Sequence, residues 1–116
     1  STIANRSDKH HIFPNEFLRR NGVVKKKINC IINICLLVAQ ENQKIGGSAP
    51  PVKYLEPFID KRFFPTVMKS HYIPYIKSSS LWGKNKNSYL KFLDERLKII
   101  LEAFEKEAAV KMFERT

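Results

Sequence analysis

Cysteine, glycine and acidic residues are scarce in this 116-residue chain, which has 2 Cys, 4 Gly, and 11 Asp and Glu against 21 Lys and Arg. Cys30 and Cys35 lie in an apolar stretch without CxxC spacing, which argues against a structural zinc ribbon. We interpret them as buried thiols in a reducing compartment. The chain also lacks a glycine-rich phosphate loop, so we do not expect it to bind or hydrolyse nucleotides by itself.

Long apolar runs are missing as well. No run approaches the roughly 20 residues that a transmembrane helix needs, and no signal peptide is recognisable. We therefore expect a cytoplasmic protein without a membrane partner. The length fits one domain, residues 1–116, and the start at Ser1 instead of methionine suggests a fragment of a longer protein. Its oligomeric state is not predictable from the sequence.

The shortage of acidic residues leaves a formal net charge of +10. A charge of this size says nothing about the fold, but it favours a polyanionic partner, with nucleic acid first and an anionic membrane surface second. A solvated basic surface, or one part of a larger protein whose other part is acidic, is the alternative explanation.

The first 47 residues predict two strands followed by a short helix. An extended segment over residues 10–13 ends at Pro14, and Asn15 is a candidate cap for a helix over residues 16–20 that ends at Gly22. Residues 25–27, three lysines, are expected to form a basic loop. The apolar stretch over residues 28–39 is rich in β-branched residues and predicts the second strand over residues 34–38, and residues 40–45 predict the short helix.

The second half, residues 48–116, predicts mainly helices. Ser48 is a candidate cap for a helix reaching about residue 60, a second helix covers residues 61–70, and a turn-rich stretch follows from residue 72 to 86. A long helix is predicted from about residue 88 to 113. Its apolar residues recur every three or four positions and predict a stripe facing the core, namely Tyr89, Leu93, Leu97, Ile100, Phe104 and Ala108.

The adjacent histidines His10 and His11 carry the clearest chemical signal. Neighbouring side chains of a strand point to opposite faces, but a bulge or a turn brings both towards one pocket. One imidazole can then bind a metal while the other acts as a base. Asn42 is on the predicted short helix, which in a ββα unit packs against both strands, so its amide oxygen would face the histidine pair and be available to a hard cation.

The segments "HHIFPNEFLRR" and "NICLLVAQENQKIG" resemble the motif of HNH (His-Me finger) nucleases. The arrangement is also similar to the nuclease domain at the C-terminal end of GmrSD-type modification-dependent restriction enzymes, including "NICLLVAQENQKIGGSAPPVKYL" and the late segment "FLDERLKIILEAF". This resemblance runs from about residue 8 to 104. It implies an α+β fold with a ββα-metal core over residues 1–47 and a helical extension over residues 48–116.

The resemblance also implies roles for individual residues. His10 and Asn42 match the metal ligands, His11 matches the general base, and Asn33 matches the central asparagine, which we expect to hold the loop so that His11 points correctly. Contacts to DNA phosphates are expected from Lys44 on the predicted helix and from the basic residues between the histidines and Asn33, namely Arg19, Arg20, Lys25, Lys26 and Lys27.

The expected cofactor is one divalent metal ion. Mg²⁺ and Mn²⁺ are the first candidates, and Zn²⁺ or Ni²⁺ are alternatives because a site of His10 and Asn42 has no formal negative charge. Asp8 is an alternative source of a carboxylate, acting through a water. His71 is interpreted as structural, and Trp82 with Tyr72 and Tyr75 as packing residues instead of base-stacking ones.

These observations predict a metal-dependent DNA endonuclease domain of a restriction or phage-defence protein. The resemblance implies a further N-terminal domain that handles nucleotide hydrolysis or recognises modified DNA. The main alternative is a non-catalytic basic module that keeps the motif as a scaffold for binding DNA or a partner. A toxin-type nuclease with a cognate inhibitor is a third possibility.

Overall fold

Two antiparallel strands and five helices make up the part of the chain that the computed structural model describes, residues 7–38 and 47–114. In chain order they are β1 (Ser7–His11), α1 (Asn15–Arg20), α2 (Lys25–Ile28), β2 (Ile34–Val38), α3 (Pro51–Tyr54), α4 (Phe64–Ser70) and α5 (Lys86–Glu114). Short 3₁₀ turns occupy Ile31–Asn33, Glu56–Phe58 and Ser80–Trp82. The architecture is α+β, as predicted.

The two strands form a hairpin-like sheet in which Ser7 pairs with Val38 and His11 pairs with Ile34. The prediction of β2 over residues 34–38 is confirmed. A short strand or extended segment was predicted over residues 10–13, and the observed strand lies earlier, at Ser7–His11. The Ile12 N–H still donates to the Asn33 carbonyl at 2.8 Å, in register with the ladder. The helix predicted over residues 40–45 lies outside the described residues.

Helix α1 begins one residue earlier than predicted. Pro14 is the residue before the helix, and Asn15 is its first residue, so the prediction of Asn15 as a side-chain cap is wrong. The helix ends before Gly22, whose φ of +78° lies in the left-handed region that glycine adopts without strain. Phe17 and Leu18 are its buried residues.

The lysine stretch is helical instead of a loop. Helix α2 forms because the backbone N–H groups of Lys27 and Ile28 both donate to the carbonyl of Val24, while the Ile28 side chain is buried in the core. The lysines are therefore presented on a short helix that is anchored by its last residue. The expectation of an unstructured basic loop is corrected accordingly.

The helix predicted from Ser48 to about residue 60 is broken into two pieces. Helix α3 has four residues, and a 3₁₀ turn with Pro57 at its centre follows. Proline has no backbone N–H and cannot continue the helical hydrogen bonds, which accounts for the break. Helix α4 covers the last seven residues of the predicted 61–70 segment and has Pro65 in its first turn.

Helix α5 is the longest element, and its prediction is confirmed within two residues at its start and one at its end. Asn85 caps it, since its Oδ1 accepts a hydrogen bond of 2.8 Å from the Ser88 N–H. Tyr89 and Phe92 are fully buried, and their rings lie 5.3 and 5.1 Å from the ring of Phe13. The helix therefore packs directly on the segment that follows β1.

The predicted core stripe of α5 is wrong at Leu97, Phe104 and Ala108, which are exposed, whereas Ile100 is half-buried. Tyr89 is buried and Leu93 is half-buried, but Leu97 is 40% and Phe104 is 66% exposed. None of residues 97–114 is buried. The buried face instead contains Tyr89, Phe92 and Arg96, so the helix is rotated from the predicted stripe and its second half is without a covering element among the described residues.

Candidate functional site

The two histidines leave β1 in different surroundings. His10 pairs with Cys35 and His11 with Ile34, and this pairing is regular through both positions. Adjacent side chains of a regular strand point to opposite faces of the sheet. The bulge that would bring both imidazoles into one pocket is therefore absent from this described strand.

The imidazole of His10 lies on the inner face of the hairpin and is 7% exposed. Its ring contacts the ring of Tyr54 edge to face, with centroids 5.9 Å apart. The Tyr54 hydroxyl donates a hydrogen bond to the Ile12 carbonyl. Burial raises the pKa of Tyr54, so this hydroxyl stays protonated and available as a donor. Helix α3 thereby fixes the inner side of the strand end.

His11 is half-buried and contacts Asn29, which directly follows helix α2. The His11 Nε2 lies 2.8 Å from the Asn29 Oδ1. Because an amide oxygen can only accept, Nε2 carries the hydrogen in this contact. In a neutral imidazole the lone pair is then on Nδ1, which is the atom able to take up a proton.

Asn33 is fully buried and fastens the segment after His11. Its Oδ1 accepts a hydrogen bond of 2.8 Å from the Phe13 N–H, and its Nδ2 donates to the carbonyls of Phe13 and Ile28 at 3.0 Å each. Its own carbonyl accepts from the Ile12 N–H at 2.8 Å. These contacts agree with the expected positioning role and place no atom of Asn33 in a reacting position.

The lysines and arginines predicted to contact phosphates differ in their ion pairing. Arg19 and Arg20 are exposed, but both bond the carboxylate of Glu16, at 2.5 and 3.2 Å, and the hydrogen bond from Arg19 lowers the pKa of Glu16. The three lysines of residues 25–27 are also exposed, and within the described residues they form no ion pair. Helix α2 is therefore the more available cationic element, and it leads directly to Asn29.

The proposed metal ligand Asn42 and the proposed phosphate contact Lys44 lie outside the described residues, as does the side chain of Asp8. The partnership of His10 and Asn42 therefore stays a prediction. In the described part of the chain, no three His, Cys, Asp or Glu side chains come together in a way that could hold a metal ion. The proposed site of His10 and Asn42 contains one histidine and one asparagine, so it falls outside this three-ligand criterion.

Arg96 is a buried residue whose role the sequence reasoning missed. Its Nη1 donates to the carbonyls of Ile32 and Ile34 at 2.7 and 3.0 Å, and its Nη2 donates to the His71 carbonyl at 2.9 Å. Ile34 is the ladder partner of His11, so α5 is bonded to the strand beside the candidate base. Arg96 is part of the "FLDER" segment, which was the one available signal.

Helix α5 also holds α2. The Tyr89 hydroxyl donates a hydrogen bond of 2.6 Å to the Lys27 carbonyl, and burial raises the pKa of this hydroxyl. The position of Asn29, and therefore its contact with His11, depends on this attachment of α2. Asn29 was likewise missed, because a polar residue after a lysine stretch gives no sign of a partner 18 residues away.

Two of the packing predictions concern aromatic residues and are supported by their contacts. The rings of Tyr75 and Trp82 lie 6.0 and 6.3 Å from the buried Phe64 ring, and the Trp82 indole donates to the Ile76 carbonyl. Tyr72 differs, since it is 46% exposed and has a positive φ of 57°. His71 supplies its carbonyl to Arg96, in agreement with a structural role.

Across residues 7–38 and 47–114, none of the helices has the length and apolar character needed to cross a membrane. Comparison of the chain with protein-family models, with curated proteins and with solved structures gives no match.

Proposed function

We propose that this chain is a metal-dependent DNA endonuclease domain of the HNH type, which hydrolyses phosphodiester bonds. The observation that carries the proposal is the contact between His11 and Asn29, which leaves one nitrogen of a half-exposed imidazole as a proton acceptor at the end of a fastened strand. The resemblance of the histidine segment to HNH nucleases supplies the reaction. A place in a restriction or phage-defence protein with a further N-terminal domain is part of the same proposal.

His11 acts as the general base. Its Nδ1 takes a proton from a water molecule, which attacks the phosphorus in line with the leaving 3′ oxygen. Imidazole is the side chain that most often serves as a general base in enzymes working near neutral pH. The Asn29 Oδ1 accepts from Nε2–H and stabilises the positive charge that the ring gains when it is protonated.

His10 and Asn42 are the residues proposed to hold the metal ion. Because His10 and His11 point to opposite faces of the regular strand, this part of the proposal requires the strand end to rearrange so that the ion and His11 meet at one phosphate. An imidazole nitrogen and an amide oxygen are both ligands for first-row divalent ions, and Mn²⁺, Ni²⁺ or Zn²⁺ tolerate the imidazole better than Mg²⁺ does. When bound, the ion would stabilise the negative charge that develops on the phosphate and the leaving oxygen. His10 is paired with Cys35 in the strand ladder, and its ring contacts the ring of Tyr54 on the inner face of the sheet.

The lysines of α2 bind the DNA backbone in this proposal. They are exposed and have no ion-pair partner within the described residues. They also lie just before Asn29, which contacts the proposed general base His11. Arg19 and Arg20 share the Glu16 carboxylate and would have to exchange it for a phosphate. Phosphate contacts make binding strongly dependent on salt, so affinity should fall steeply between low and physiological salt.

The deciding experiment is cleavage of supercoiled plasmid with Mg²⁺, Mn²⁺, Ni²⁺ and Zn²⁺ in turn. We expect wild-type cleavage with at least one metal, none with EDTA, and at least a hundredfold slower cleavage by His11→Ala. The control is His71→Ala, because His71 contacts Arg96 through its backbone carbonyl, which the substitution retains. DNA binding by His11→Ala should persist.

The second candidate is a non-catalytic DNA-binding module. It is favoured by the burial of His10 against Tyr54 and by the lack of a three-ligand cluster in the described part. In that case wild type and His11→Ala would bind DNA alike and cleave it with none of the metals. Replacing the lysines of residues 25–27 with glutamate would then abolish the only activity.

A further inference from the structure

The second half of helix α5 has an exposed apolar face. Leu97, Leu101, Phe104 and Ala108 follow the spacing i, i+4, i+7 and i+11, which places them on one side of the helix. Leu97, Leu101 and Phe104 are 40, 50 and 66% exposed, and Ala108 is exposed as well. A row of this kind is characteristic of a helix that pairs with another helix.

The charge around this face argues against nucleic acid as its partner. Residues 97–114 contain four glutamates and three lysines, whereas the whole chain has a formal net charge of +10. The cationic residues are therefore concentrated elsewhere. A polyanion would gain nothing from the four glutamates, so the face calls for an apolar partner with mixed charge at its edges.

We propose that this face pairs with the same face of a second copy of the chain, in antiparallel orientation. When Leu101 of one copy lies opposite Phe104 of the other, Leu97 lies opposite Ala108, and each of these two pairs occurs twice by symmetry. The first pair combines a leucine with an aromatic ring, and the second combines a larger with a smaller side chain. The apolar row is self-complementary in this register.

The charges beside the row and at its two ends fit the same register. Lys98 falls beside Glu105 of the second copy, and Asp94 at one end of the row falls opposite Lys111 at the other, again twice by symmetry. All four side chains are exposed, and Lys111 also pairs with Glu107 of its own helix at 3.3 Å. A parallel pair would instead place Asp94 opposite Asp94 and Lys111 opposite Lys111. The antiparallel arrangement is therefore favoured by charge as well as by shape. The pairing does not depend on the proposed nuclease activity.

Sedimentation velocity of the 116-residue chain over a range of concentrations tests the pairing at physiological salt. We expect the mass to rise from 13.5 kDa towards twice that value. Leu101→Glu should remove the dimer, while Ile76→Glu, at an exposed position in a loop, should leave it intact. Circular dichroism and a thermal melt of each variant establish that the fold is retained.

A charge exchange tests the register. Lys98→Glu alone places two glutamates side by side, and Glu105→Lys alone places two lysines side by side, so each should weaken the dimer about tenfold. An equimolar mixture of the two variants restores opposite charges at both positions and should dimerise like the wild type.

Three results would overturn the proposal. A monomeric wild type at all concentrations would leave the face to a different partner. A dimer that is insensitive to Leu101→Glu would have its interface elsewhere. Weakened single variants whose mixture does not recover would exclude the antiparallel register.

Discussion

The side chain of Asn33 bonds both the N–H and the carbonyl of Phe13, at 2.8 and 3.0 Å, across 20 residues of chain. The Asn33 side chain thereby supplies Phe13, just beyond the end of β1, with the hydrogen bonds that a neighbouring strand would otherwise make. It connects the residue just before β2 with the segment just after the histidine pair. The buried Asn33 amide therefore fixes the end of β1 together with the Tyr54 hydroxyl, which bonds the Ile12 carbonyl.

Asn33→Ala should destabilise the protein by about 2–4 kcal/mol, because it leaves buried backbone groups of Phe13 and Ile28 without partners. The measurement is urea denaturation followed by circular dichroism. Asn29→Ala is the control, since Asn29 is exposed and its loss should cost less than about 1 kcal/mol. Equal costs at the two positions would contradict the assignment.

Asn29 is proposed as a positioning residue that acts through His11. Asn29→Asp places a carboxylate against Nε2–H, which favours the protonated imidazole, so plasmid cleavage should need a higher pH than in the wild type. Asn29→Ala should slow cleavage about tenfold without shifting the pH dependence of the cleavage rate. The measurement is the pH–rate profile of both variants, and a profile that Asn29→Asp leaves in place would refute the role.

Arg96→Met should cost about 3 kcal/mol or more, because three carbonyls lose a charged donor in a buried setting. Arg96→Lys should recover little, since an ammonium group cannot reproduce the planar fork that reaches Ile34 and His71 together. Denaturation curves supply the values, and exposed Lys98→Met on the same helix is the control. A loss below 1 kcal/mol for Arg96→Met would show that the three bonds are dispensable.

The buried thiol of Cys35 makes stability depend on alkaline pH. Burial raises its pKa to about 11 from an ordinary value of 9.0, so the unfolded chain releases this proton at lower pH than the folded one. The contribution to the free energy of unfolding is complete below pH 9 and decreases by at most about 1.4 kcal/mol per pH unit up to pH 11.

Comparison of variants separates the Cys35 contribution from that of the buried tyrosine hydroxyls, whose pKa values burial also raises. Cys35→Ala should lose less stability than the wild type between pH 9 and 11, whereas Cys30→Ala, at a half-buried position, should follow the wild type. Denaturation midpoints at a series of pH values provide the slopes. Parallel slopes for all three proteins would refute the burial effect.

Gly83→Ala should destabilise the start of α5 by about 1–3 kcal/mol, because the added Cβ would lie 2.2 Å from the Ser88 Cβ and 2.0 Å from its Oγ. Ser88→Gly removes both atoms, so the cost of Gly83→Ala should nearly disappear in that background. Thermal melts of the four proteins of this cycle provide the test. An unchanged cost would mean that the two residues do not collide.

The elements that could be predicted are those with a strong local pattern. β2 lies in an apolar stretch rich in β-branched residues, and α5 has apolar residues every three or four positions, and both elements were predicted. The positioning role of Asn33 was inferred from the family resemblance, and its hydrogen bonds agree with it. In each case the deciding information lies within a short stretch of chain.

The rest depends on contacts between distant residues. The helix at residues 25–28 has no periodic pattern and forms where Ile28 is buried and Tyr89 bonds the Lys27 carbonyl. Arg96 lies on a helix rich in charged residues, and nothing near it in the sequence indicates its three backbone partners, the carbonyls of Ile32, Ile34 and His71. The buried face of α5 contains Arg96 and therefore differs from the face that the apolar stripe predicts.

Helix α5 is hydrogen-bonded to the hairpin through Arg96, and it is hydrogen-bonded to α2 through Tyr89. Residues 7–38 would consequently lose these hydrogen bonds if they were grafted onto another scaffold without α5. A minimised version of the protein has to retain α5 at least through Arg96. The apolar residues after it can be redesigned for solubility without loosening the hairpin.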